Sequence, residues 1–308
     1  MSSMQSWRRS SLAAAVLAVI LAGAPAALAQ TPDQDSDIVI TAPTRDQARA
    51  FVSRLSTAPP SVDQMGRWDD DVCIGVAGLP SRQGQFIADR VAQRAYTLGL
   101  APGEAGCAPN ISIIVAPDAS AAAQRMFEQN ESLFAYRYET GIATLGQEAF
   151  SRFLNVDRPV RWWHVTRTMS ADGEPIGSGG VTPGMSSGGF DGAQTVRSNG
   201  SMLRQATRQD FSRVVIIIDG RRAASVQLAA LADYVAMVAL AQINPDADTS
   251  GFPTVLNIFS ADGGTAPSGL TAWDLAYLDA LYKADRDAPS VTQQQADMAR
   301  RMERDRAS

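Results

Sequence analysis

The sequence predicts an α+β protein, with a mixed sheet packed against a buried central helix in a single main domain. Three observations carry this. Two short apolar runs, NISIIVA (110–116) and RVVIIID (213–219), are rich in β-branched residues and have the length of buried strands. VRWWHVTRTM (160–169) alternates, with Trp162, His164 and Thr166 on one face and Trp163, Val165 and Arg167 on the other. LAALADYVAMVALA (228–241) is apolar around nearly its whole circumference: Leu228, Leu231, Val235 and Val238 form one stripe, and Met237, Leu240 and Ala241 widen it. A helix of that kind belongs in an interior.

Taken in order, residues 1–29 read as a secretory signal peptide. Arg8 and Arg9 precede an apolar run of small residues that closes on the small-x-small site Ala27-Leu28-Ala29. No bulky apolar residue follows the arginine pair where the twin-arginine route uses one. No cysteine stands at the cleavage point, and no later run is long and uncharged enough to span a bilayer. Cleavage near Ala29 and a periplasmic or extracellular location follow as expectations.

Residues 30–44 are polar, with a β-like DIVIT, and form an extended leader; the main domain runs from 45 to 285. RDQARAFVSRLS sets Ala48, Phe51, Val52 and Leu55 at helical spacing, and QGQFIADRVAQRAYTLGL puts Phe86, Ile87, Val91, Ala95 and Leu98 on one face before Gly99. Residues 119–138 and 145–154 are predicted as helices. The Gly-rich stretch 173–200 is a mobile loop or a wide hairpin end. VLNIF (255–259) reads as a short strand. LTAWDLAYLDALY is a helix opened by a Thr271/Asp274 capping box, with Leu275, Leu278 and Leu281 turned inward. The charged tail 286–308 is predicted helical and loosely attached.

Charge and cysteine count narrow the chemistry. Without Arg8 and Arg9 the chain carries 25 basic against 32 acidic residues, which disfavours nucleic acid as a partner. Cys73 and Cys107, the only two cysteines, form one disulfide in an oxidising compartment. Their distance apart in sequence excludes the close-spaced pairs of a structural zinc site.

Each candidate for catalysis has a plainer structural reading. GMSSG (184–188) matches Gly-x-Ser-x-Gly around Ser186, but the motif works on a tight strand-to-helix turn and here lies in a Gly/Ser-rich loop. His164, the only histidine, packs beside Trp162 and Trp163 within its strand. Trp68-Asp69-Asp70-Asp71 lacks the alternating ligands and Gly of a calcium loop and reads as a solvated turn. Trp162, Trp163, Trp273 and Tyr277 either line a groove or belong to the core. Asp233 is costly on an apolar helix unless it lies on the one exposed edge or bonds a loop amide; the other reading is a cleft shared with Tyr234, His164 and Trp162.

The order of elements, with Leu231 to Asn244 and the closing Thr271, Asp274, Leu278, Leu281 and Tyr282, resembles an uncharacterised family of exported proteobacterial proteins with zincin-like folds. The resemblance covers residues 45–285 and implies a zincin-like α+β domain. A zinc peptidase would carry His-Glu-x-x-His on the central helix; here the ligand positions hold Asp233 and Met237, the base position Tyr234, and the distal ligand position Ile243. Met is a weak donor, Ile donates nothing, and Tyr ionises near pH 10, so no zinc and no other cofactor is expected. The reading is an exported, non-catalytic protein that binds an envelope protein, a peptide or a cell-wall ligand. Its alternatives are a non-zinc hydrolase using Ser186 and His164 under the Gly-rich loop, and a pure scaffold.

Overall fold

A computed structural model describes residues 43–137, 140–170, 172–176, 205–260 and 266–304. The predicted signal peptide, all but the end of the leader, and Ser186 with most of the Gly-rich stretch lie outside the described residues.

The chain begins with α1 (Arg45–Leu55), then β1 (Ile74–Ala77), α2 (Ser81–Thr97) and β2 (Ile111–Ala116). Next come α3 (Ala119–Gln129), a 3-10 turn (Glu131–Phe134), β3 (Ile142–Ala143), α4 (Gly146–Asn155) and the long pair β4 (Val160–Ser170) and β5 (Thr207–Asp219). The short α5 (Gly220–Ala223) leads to the central helix α6 (Leu228–Leu240), a second 3-10 turn (Val255–Asn257), α7 (Ala272–Lys283) and α8 (Val291–Arg304). The five strands form one sheet in the order β1-β2-β5-β4-β3. β1, β2 and β5 run parallel, while β4 and β3 are antiparallel to their neighbours, so the sheet is mixed as predicted.

Strand alternation divides the interior into two cores. Val214, Ile216 and Ile218 of β5 and Trp162 of β4 face α1, α2, α6, α7 and α8. Val215, Ile217, Trp163 and Val165 face α3 and α4 on the other side. Thus two neighbouring tryptophans serve two different cores. The disulfide Cys73–Cys107 ties the residue before β1 to the loop before β2, across Cα atoms 6.1 Å apart. Asn110 reinforces that junction: its side chain accepts the Cys73 N–H at 2.8 Å, and its own N–H donates to the Cys73 carbonyl at 3.0 Å.

Several local expectations change. VLNIF is a 3-10 turn rather than a strand, because Thr254 caps it and the buried Asp274 carboxylate accepts the Val255 N–H at 2.8 Å, which winds the backbone. The helix predicted for 119–138 ends at Gln129 and gives way to the 3-10 turn, followed by Ala135 at a positive φ. Phe86 and Leu275, both placed on inward faces, are exposed. The tail is not loose. Met298, Ala299 and Met302 of α8 are buried against α1 and α7, and Gln294 accepts the Met65 N–H at 2.9 Å.

Candidate functional site

The last turn of α6 has carbonyls that no residue of the helix can satisfy, and they are buried, so side chains must supply the donors. His164 on β4 donates from Nε2 to the Val238 carbonyl at 2.7 Å. Trp68 donates its indole N–H to Ala239 at 2.8 Å, and Tyr282 of α7 its hydroxyl to Leu240 at 2.8 Å. Beyond the helix, Trp162 donates to the Ile243 carbonyl at 3.0 Å. Residues that looked like chemistry or solvated turn are therefore the cap of one helix. His164 is 1% exposed and stacks on Phe211 with ring centroids 5.0 Å apart. Burial lowers its pKa to about 4, only partly opposed by the bond to Val238, so the ring is neutral and its proton sits on Nε2.

Asp233, Tyr234 and Met237, the positions where a zinc helix would carry its chemistry, are all buried. Asp233 does accept a loop amide, Leu270 N–H at 3.1 Å, but it is not on an exposed edge. Two arginines of α2 clasp it with both ends of their forks: Arg90 Nε and its terminal nitrogen at 2.8 Å each, Arg94 at 3.1 and 3.3 Å. Burial pushes the carboxyl up, yet the bonds from Arg90, Arg94 and Leu270 outweigh it, and Asp233 titrates below the usual carboxylate range. Gly269 lets the loop come this close, since a Cβ there would stand 2.5 Å from Asp233 Oδ2. Tyr234 is packed edge-on to Trp162 and Phe259, and burial pushes its phenol up. Ile243 is wholly buried. The residues of the alternative reading, a cleft shared by Asp233, Tyr234, His164 and Trp162, are all buried.

The remaining candidates are also internal. Trp273 and Tyr277 pack on Phe51, with ring centroids 5.4 and 5.8 Å away, and Tyr277 shares a hydrogen bond with Ser56 at 3.0 Å. Asp69 pairs with Arg208 and Arg286, while Asp70 and Asp71 are exposed. Among the described residues no three His, Cys, Asp or Glu side chains gather as metal ligands would.

One arrangement with open space lies elsewhere. A pocket of about 170 Å³ opens between α4, the start of β4, the loop after α1 and the turn Asn244–Asp246 after α6. Trp162 and Trp163 line it together with Arg152, Arg158 and Arg161, and Asp246 is its single acidic residue. Arg152 Nε meets Asp246 at 3.1 Å, and Arg158 holds both Asp246 and the Pro245 carbonyl. Asn244 folds the turn by accepting the Asp246 N–H at 3.0 Å. Arg161, 1% exposed, caps the end of α4 by donating to the Leu154 and Val156 carbonyls at 3.0 and 3.1 Å. Its pKa is lowered by burial first and by the neighbouring Arg158 second. Of these residues the sequence points to the two tryptophans and, through the resemblance, to Asn244. The available signal was three arginines within residues 152–161, beside the aromatic pair, together with the Asn-Pro-Asp turn.

Compared with known protein families, curated proteins and solved structures, the chain matches none of them.

Proposed function

We propose that this chain is an exported envelope protein that binds rather than catalyses, built on a zincin-like framework whose metal-site positions now serve packing. The double arginine fork on Asp233 carries the reading. A carboxylate held by two guanidinium groups and an amide has no free lone pair directed at a metal or substrate, and Tyr234 and Met237 beside it are sealed. His164 is 1% exposed with its ring stacked on Phe211, a placement that keeps its unprotonated nitrogen away from solvent and does not favour the Ser186/His164 hydrolase. The burial of Asp233 and its neighbours favours the scaffold alternative there, but the arginine-lined pocket provides a place where a partner can be held.

The test is capture from envelope extracts by the mature protein, scored for a specific protein or peptidoglycan partner, with metal analysis in parallel. Reproducible capture, well under one zinc per chain and a melting temperature unmoved by chelation are expected. Stoichiometric zinc that survives dialysis would overturn the reading, and failure to capture anything would leave the scaffold.

A further inference from the structure

We infer that the pocket between α4 and the Asn244–Asp246 turn binds a small carboxylate whose apolar tail lies against Trp162 and Trp163; this rests on the binding reading above. Charge is the first reason. Three arginines and one aspartate line the pocket, and with Glu148, which pairs with Arg152 at 2.7 Å, the local surplus is one positive charge in a chain whose net charge is −5. A surplus of this kind inside a concave, partly apolar site attracts and orients an anion.

Unused donors are the second reason. Each guanidinium offers five N–H groups. Arg152 spends its bonds on Asp246 and Glu148, and Arg158 on Asp246 and the Pro245 carbonyl, which leaves donors on both. Arg161 is more telling. It is buried, it lines the same pocket, it meets carbonyls and the Ser120 hydroxyl but no carboxylate, and its Nε–H has no partner among the described residues. A buried, incompletely bonded cation beside a cavity is stabilised when an anion enters.

The site also displays the chemistry it would take. Asp246 seats a carboxylate between Arg152 and Arg158, a flat two-oxygen group matched to the guanidinium fork. An incoming carboxylate shares or replaces that seat, so Asp246 acts as an internal competitor. The space of about 170 Å³ exceeds the roughly 10–15 Å³ that a single water needs, and the apolar lining residues Leu145, Ala149 and Phe153, with the two tryptophans, suit a short aliphatic tail. Both a free short-chain acid and the C-terminal residue of a peptide present this chemistry.

Four probes on the intact exported protein separate these sources: propionate, the peptide Ala-Ala-Ala, its C-terminal amide, and inorganic phosphate. Binding is followed by calorimetry and by the indole N–H resonances of Trp162 and Trp163. The free-acid probes should shift both indole signals, with the amide at least tenfold weaker than the free peptide. Propionate matching the peptide assigns a free acid, and a tighter peptide assigns a chain end. Arg152→Gln should weaken binding at least fivefold. Asp246→Asn should tighten it about threefold or more, a direction that mere structural damage would not produce. Both positions are well exposed, and melting curves establish that each variant is folded.

Phosphate binding as tightly as the carboxylates, amide binding equal to free acid, or indifference to both substitutions would overturn the inference. Envelope capture that persists with Arg152→Gln and under competition by propionate would remove this pocket and leave the binding reading intact. Loss of capture by the unmodified protein removes the reading itself.

Discussion

A buried carbonyl without a donor costs a few kcal/mol at most, but several at one helix end would unseat the helix. His164 illustrates how this chain meets the problem, because its neutral ring is committed to the Val238 carbonyl and its charged form is excluded by burial. The sign of the pH effect follows. The folded pKa, about 4, lies below the usual 6.5, so the unfolded chain takes up the proton first. This contribution is fully present above pH 6.5 and is lost progressively as the pH falls toward 4, by on the order of 3 kcal/mol. Burial raises the carboxyls of Asp210 and Asp274, and both oppose the trend at its acid end. Urea melts between pH 7 and 5 should therefore show falling stability in the parent protein and a flatter profile in His164→Gln, the chain having no other histidine. An unchanged slope in the variant would mean that His164 is not the group responsible. Arginine serves the same end elsewhere: Arg67, its pKa lowered to about 10 by burial and then by Arg286, holds the Leu281 and Ala284 carbonyls at the end of α7.

Among the elements, α6 was legible because an all-round apolar helix leaves only an interior placement. Leu231 is buried in that helix, and Leu231→Ala should cost roughly 2–5 kcal/mol in equilibrium unfolding, the range for an internal leucine. α8 was harder to read: its buried methionines stand four residues apart among charged neighbours, so the stripe is narrow and the segment reads as solvated tail. Removing residues 291–308 exposes the faces of α1 and α7 it covers, and the truncated protein should melt well below the parent. Equal melting temperatures would restore the picture of a loose tail. VLNIF failed for a different reason, since its winding depends on Asp274, 19 residues from Val255, a contact invisible in local pattern.

Across the whole molecule, the sequence made the alternation of β4 and the disulfide readable, since Trp162 and Trp163 fall on opposite faces and two cysteines allow one pairing; that α3 and α4 build a second core on the Trp163 face was not readable, because it depends on how distant helices pack. Nor did the sequence make the candidate pocket readable, because Arg152, Arg158 and Asp246 meet only when α4, β4 and the end of α6 are brought together. Reduction of Cys73–Cys107, which closes a loop of 34 residues, should lower stability by about 3–4 kcal/mol. Mass analysis without reductant should show the chain two hydrogens lighter than its reduced form, and two alkylatable thiols would contradict the pairing.

The same long-range logic applies to Asp233, where α2, α6 and the 269–271 loop converge. Removing a partner from a fully buried pair costs about 3–5 kcal/mol. Arg90 and Arg94, with side chains 30% and 21% exposed, recover part of that from water, so Asp233→Asn should cost roughly 2–4 kcal/mol. The most direct measurement is denaturant unfolding of Asp233→Asn, run beside partner capture by the folded variant. A loss of that size with capture intact is the predicted result, since the helix is a fastening and the proposed binding site is the arginine-lined pocket. A variant as stable as its parent that no longer captures the partner would contradict the account and make Asp233 part of the binding site.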